Sequence, residues 1–535
     1  MRDTLVLGRI YTLDEARPFV DAALIRDGAF SMLGAARDCI RAAAAGADVL
    51  EIAAGGSATA GLADAHGHVL SYGRSLEEVN CLGAGSEQEC AERAASAAAS
   101  LPAGAWVRGR GWDQTRWPGQ RFPTARVLSS GAPGRPAALS RVDGHCLWVN
   151  EEALALAGIG AGTPDPPGGR IERLPDGRPA GVLVDRAMDP VVAILGEPGP
   201  DEQERAVRAA LPGLVRAGLT SVHDAGASPE LLAIYRRLAE RDELPLRLYA
   251  MIDGQMPPVR LEHELAAWRG AGDVGRLSVR AVKIFADGAL GSRGAALFDP
   301  YADDPGNTGL LLATPEELRR RIALAAAAGF QPAVHAIGDR ANAEVLAAFA
   351  ALGTRVDLAA LCPRVEHAQV VRRQDLPLFR RASAVASVQP VHAVGDAPWA
   401  ADRLGRGSAR LAGAYAWRTL LDNGVPLAFG SDFPVESFDP MKGIHAAETR
   451  LPAGESDPFL AAERLTRVEA LRAYTRGAAL AARASRRRGE VAVGQAGDLT
   501  LYDRDILAVG AEELCAVRVT HAVVGGRVEA AAGDR

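Results

Sequence analysis

The sequence predicts an α/β protein: a TIM-type (β/α)8 barrel with a small β-sandwich formed by the N- and C-terminal segments and an insertion after the first strand. Three observations carry this. Eight short apolar runs, ending at His68, Asp224, Asp253, Phe285, His335, His367, Gln389 and Ser431, alternate with helical patterns, the signature of parallel βα units. Nearly every run ends in a polar residue, and in such barrels the reactive side chains sit at the C-terminal strand ends. Strand-like alternations at both ends of the chain flank this middle, and termini often lie close together. The expected domains are therefore 1–58 with 484–535 as the composite sandwich and 59–483 as the barrel, with an insertion at about 75–210.

In order along the chain, Thr4 to Leu7, Ala22 to Ile25 and Phe30 to Leu33 alternate like strands and are punctuated by Gly8, Asp27-Gly28 and Gly34. No signal-peptide pattern precedes them, and no run approaches the ~20 apolar residues of a membrane span. Six cysteines are scattered without a Cys-x-x-Cys, which suits reduced thiols in a cytoplasmic enzyme. A net charge of −6 gives no sign of a nucleic-acid or membrane partner; the expected partner is a small-molecule substrate, and a homo-oligomer stays open.

The first barrel run, Gly61 to His68, carries two histidines one residue apart. Positions i and i+2 of a strand share a face, so His66, His68 and Asp64 would point one way. Two converging imidazoles are costly to bury unless they are hydrogen-bonded core histidines or bind a divalent metal. The long stretch from His68 to His223, with Trp106, Trp112, Trp117 and Trp148, is too much for one helical return and reads as an insertion covering the barrel mouth. The fourth run holds Lys283 among apolar residues, a placement that structure alone explains poorly. Were its ε-nitrogen to take up carbon dioxide, the resulting carbamate could bridge two cations. Helical patterns from Pro315 to Ala328 and Arg340 to Leu352 frame His335, and His367 follows it by 32 residues, about one βα unit. The eighth run leads into Asp432. Beyond it, Gly489 to Gly494, Asp498 to Tyr502 and Thr520 to Val528 return to strand-like alternation.

His66-x-His68, Lys283, His335, His367 and Asp432, in that order, resemble the metal set of the amidohydrolase superfamily. The phrases Lys283 to Ser292, His335 to Asp339 and Gly430 to Val435 are similar to the amidohydrolase family 3 branch, which contains N-substituted formamide deformylases. The resemblance implies that His66 and His68 bind the more buried of two divalent metals, zinc above all, and His335 and His367 the more exposed one. Carboxylated Lys283 would bridge them in a binuclear centre. Asp432 would ligate the buried metal and exchange the proton of the attacking water; it must be ionised to do so, and the neighbouring cation should hold its pKa below ~3.9. The implied activity is hydrolysis of a non-peptide carbon–nitrogen bond, an amide or N-substituted formamide. The same site could instead act on a cyclic amide, deaminate a heterocycle or cleave an ester. A catalytically dead relative that binds a small molecule is the third reading, which the complete set of six ligand positions opposes.

Other polar residues have two readings each. His145 either touches substrate or shapes its loop. His223 and His392 either line the site or support it. Trp112 and Trp117 line an apolar pocket or belong to a core, and Arg293 would hold a carbonyl or carboxylate of the substrate. His263, His445 and His521 read as structural or surface residues.

Overall fold

In the computed structural model, which describes residues 2–102, 104–195 and 199–531, the chain forms two compact units. One combines Met1–Val69 with Ala210–Arg535 and the other is Leu70–Ala209.

The first unit contains an eight-stranded parallel ring with surrounding helices. Its strands are β1 (Leu62–Gly67), β2 (Leu219–Ala227), β3 (Arg247–Asp253), β4 (Leu277–Phe285), β5 (Gln331–Ala336), β6 (Arg364–His367), β7 (Val385–Val388) and β8 (Leu427–Phe429), paired in sequence order. Every residue of β1, β5, β6, β7 and β8 is buried, as expected where helices cover a parallel sheet. The last strand end meets the first: the Asp432 N–H donates to the His66 carbonyl (2.7 Å) and the His68 N–H to that of Phe433 (2.8 Å). Glycines permit this approach. A Cβ on Gly67 would sit 2.0 Å from the Phe433 ring, and one on Gly430 would sit 2.5 Å from the His66 nitrogen.

The helices start where their capping chemistry dictates. Ser228 and Thr314 accept the backbone N–H of Leu231 and Glu317, each at 3.2 Å, and each is followed by proline at the first helical position. Each cap contributes about 1 kcal/mol. The helices read as Pro315 to Ala328 and Arg340 to Leu352 run over Pro315–Ala327 and Asp339–Leu352.

The terminal segments join in one eight-stranded sheet, in which Leu499–Tyr502 pairs antiparallel with Ser57–Ala60. Alternating residues Val6, Ile10, Val20, Ile25, Leu499, Leu501 and Val523 form its core. The Leu62 N–H, at the start of β1, donates to Thr500 Oγ1 (3.0 Å), so this sheet positions the first barrel strand.

The second unit has its own six-stranded sheet, built from Val79–Asn80, Val107–Trp112, Ala137–Arg141, Cys146–Val149, Gly169–Arg173 and Pro179–Asp185. The sequence reading sees here only an insertion. Trp112, offered above as a pocket residue, is fully buried in this unit's core. Its ring lies 6.2 Å from Trp117 and 6.3 Å from both Trp148 and Phe122, and its indole N–H donates to the Leu139 carbonyl. Trp117 is buried in the same cluster. Among the described residues, no helix is long and apolar enough to cross a membrane.

Candidate metal centre

The C-terminal ends of β1, β4, β5, β6 and β8 bring His66, His68, Lys283, His335, His367 and Asp432 together. His66 and His367 rings are 4.9 Å apart, His335 and His367 rings 4.5 Å, and His66 and His68 rings 5.6 Å. Lys283 Nζ lies 3.0 Å from His66 Nε2, and Asp432 Oδ1 lies 3.1 Å from His68 Nε2 and 3.6 Å from His66 Nε2. The backbone is left-handed at His367 (φ 72°), Ala368 (φ 41°) and Asp432 (φ 61°). Such strain in residues with a Cβ persists only where surrounding structure holds it, and it gathers at functional sites.

His66 shows how the tautomers are set. Its Nδ1 faces Glu366 Oε2 at 2.5 Å, with both residues fully buried. Burial alone would raise the Glu366 carboxyl, but Arg364 and His66 outweigh it and hold it well below the usual carboxylate range. The ionised carboxylate accepts, so the proton is on Nδ1 and the Nε2 lone pair is directed toward Lys283 and Asp432. Burial, with Lys283 nearby, brings the His66 imidazole down to about 4, so the ring is neutral at pH 7. Arg364 grips Glu366 with both ends of its guanidinium, Nε to Oε1 at 2.7 Å and Nη2 to Oε2 at 3.0 Å. It also donates to the Ala65 carbonyl (2.7 Å), Ser387 Oγ (3.0 Å) and His223 Nδ1 (3.0 Å).

His367 is oriented in the same way by a neutral partner. Its Nδ1 donates to Gln389 Oε1 (2.7 Å), and Gln389 Nε2 donates in turn to the Ser387 carbonyl (3.2 Å), which fixes the amide's orientation. Burial, then His335, pushes the His367 imidazole well below its ordinary value. Lys283 is fully buried, and burial brings its ammonium down to about 8 despite Glu366 and Asp432. Asp432 is opposed by burial, yet the hydrogen bond from His68 and the surrounding histidines hold it well below the ordinary aspartate value.

Several partners escape sequence reasoning. Glu366, Arg364 and Gln389 fix the site histidines. Asp64, expected to face the site beside His66, instead ties β1 to β8: it accepts the N–H groups of His66 (3.0 Å) and Ser431 (3.1 Å) and the Ser431 hydroxyl (2.6 Å). Burial raises its carboxyl to about 7 against those bonds. Asp287 accepts the N–H groups of Ala296 (2.9 Å), Ile337 (3.0 Å) and Gly338 (2.8 Å), which pins the loop after β4 to the loop after β5.

The weaker candidates separate. His392 joins the cluster, its ring stacked on His367 at 6.1 Å with 10° between planes. His223 is fully buried and accepts from Arg364, so it supports that arginine. Arg293 is paired with Asp303 (2.8 Å), so its charge is already engaged. His145 belongs to the second unit, where its Nδ1 lies 2.8 Å from Asp185 Oδ1.

The donor set fits a divalent cation: neutral imidazoles and ionised carboxylate are what zinc takes. The ligand atoms of His66, His68 and Asp432 all lie within 4.8 Å of one another, as do those of His367, His392 and Asp432.

A family model described as the amidohydrolase family matches residues 53–529. YtcJ of Bacillus subtilis (strain 168), which carries the amidohydrolase name, is 30% identical over 529 residues that cover 97% of this chain and 98% of that protein. The N-substituted formamide deformylase of Arthrobacter pascens is 27% identical over 545 residues, 98% of each chain. Among solved structures, an uncharacterized metal-dependent hydrolase from Pyrococcus horikoshii OT3 superposes with a TM-score of 0.77 at 25% identity, covering 95% of this chain and 99% of that one.

Proposed function

The chain belongs to the amidohydrolase family and is a hydrolase of that kind, and from that premise we propose that it uses divalent zinc to cleave a non-peptide carbon–nitrogen bond, in an amide or N-substituted formamide. The observation that carries this reading is the disposition of protons. His66 and His367 each spend Nδ1–H on a buried acceptor and keep Nε2 as the ligand atom.

His66, His68 and Asp432 would hold the more buried cation, His335 and His367 the second. Lys283 would bridge them as a carbamate, formed when its neutral amine adds to carbon dioxide and releases a proton. Its lowered pKa of about 8 enlarges the amine fraction that this step needs. When bound, the cations supply Lewis acidity, which lowers the pKa of water toward ~7 and polarises the scissile carbonyl.

The rest falls to side chains. Asp432, held ionised, takes the proton of the attacking water and delivers it to the leaving nitrogen. Glu366 and Gln389 keep the imidazoles turned so that neither ring spends its lone pair elsewhere. The formamide assignment draws on the Arthrobacter pascens deformylase, alike over 98% of both chains.

The test is metal analysis of the purified protein together with turnover of N-substituted formamides, N-acyl amines and aryl esters, before and after chelation. The expected result is amide or formamide turnover that chelation abolishes and zinc restores. Full activity in a thoroughly metal-free preparation would overturn the reading.

A further inference from the structure

His392 lies in the first turn of the helix Pro390–Leu404, directly after β7. Its Nε2 is buried and has no hydrogen-bond partner among the described residues, a costly condition for a ring nitrogen. Asp432 Oδ2 lies 3.8 Å from it. Asp432 thus divides its two oxygens, Oδ1 toward His68 (3.1 Å) and Oδ2 toward His392. Both ends of one short segment attend to His367. Gln389 accepts from its Nδ1, and three residues later His392 stacks parallel to its ring. The His392 N–H donates to the Gln389 carbonyl (3.1 Å), which holds the two side chains in register.

From this geometry we propose that His392 is a metal ligand: its Nε2 joins His335 and His367 in seating the second divalent cation, on the side that Asp432 Oδ2 faces. The proposal rests on the metal reading above and adds a ligand that the resemblance to the superfamily does not supply. It accounts for the orphaned nitrogen, since a cation among three donor atoms that all lie within 4.8 Å of one another gives Nε2 the partner it lacks. The class of ligand is a small divalent cation that accepts imidazole nitrogen, zinc or cobalt.

The experiment is titration of the chelated full-length protein with cobalt(II), read by bound metal after equilibrium dialysis and by the visible ligand-field spectrum. Wild type should bind two equivalents. His392→Ala should keep the first at wild-type affinity and bind the second at least about 100-fold more weakly, with loss of its spectral component; removal of a direct ligand should exceed the ~10–100-fold cost of losing an outer partner. His392→Gln should weaken the same equivalent while preserving the far-ultraviolet dichroism, which separates loss of a ligand from loss of fold. His68→Ala should strike the first equivalent instead. Two equivalents with unchanged affinities in both His392 variants would overturn the proposal, and so would a wild type that binds one equivalent only. A wild type that binds no cation would overturn the metal reading itself.

Discussion

The two sides of the centre are built alike and braced differently. On one side His66 gives its Nδ1 proton to Glu366, an ionised carboxylate locked by Arg364. On the other, His367 gives the same proton to Gln389, a neutral amide. A carboxylate partner raises the basicity of a metal-binding imidazole more than an amide does, so the His66 side should be the strong, fixed seat and the His367 side the exchangeable one. The difference carries a liability as well. The charged brace is fully buried and stable only while complete, whereas the amide leaves no charge behind if disturbed.

The largest effect should come from the residue both sides share. Asp432→Asn keeps size and an oxygen but cannot accept a proton. Steady-state kinetics should show kcat falling on the order of 10³-fold with KM little changed. Wild-type kcat with metal in place would move the base elsewhere.

Next is the charged brace. Glu366→Ala leaves Arg364 buried without its carboxylate, and urea denaturation of the metal-free protein should show a loss of about 3–5 kcal/mol. A loss below 1 kcal/mol would mean that the brace is not a buried ion pair in solution.

The same side should respond to acid. In the metal-free protein the His66 imidazole stays neutral down to about 4, whereas the unfolded ring protonates near its ordinary 6.5. Between those values the unfolded state binds more protons. Stability is therefore lost as pH falls through that window, by about 3 kcal/mol. The check is the difference between wild type and His66→Gln in denaturation series from pH 7 to 4; parallel curves would show that burial is not what neutralises the ring.

The smallest effect should be on the amide side. Gln389→Ala should weaken the second metal equivalent about 10-fold with little change in stability, measured by competition with a chelator. If it costs as much stability as Glu366→Ala, the distinction between the two sides fails.

The clustered residues were legible because His66, His68, His335, His367 and Asp432 sit at or just past the ends of apolar runs, where chemistry has to be placed, and Lys283 stands inside one. Their braces were not. Arg364 and Glu366 stand inside the four-residue strand that delivers His367, in which Val365 is the one apolar residue, so they lack the apolar surround that singled out Lys283. What hid them is that their partners, His66, His223 and Ser387, are distant in sequence. Gln389 and His392 sit at the start of a helix, where polar residues are ordinary, and only the tertiary approach of His367 gives them meaning. Trp112 misled for a related reason: the sheet that buries it includes strands as short as Val79–Asn80, too short for a periodicity to register.

The pairing of the two chain ends bears on when the protein can begin to work. Leu62, which opens the strand carrying His66, is held by Thr500, 438 positions later, and β1 meets β8 only through residues near 430. On the ribosome the N-terminal half therefore waits with its histidine strand unpaired on one edge until nearly the whole chain has emerged. Closure over such separations is slow. A chain that stops short of these residues would carry His66 and His68 without the frame that aligns them.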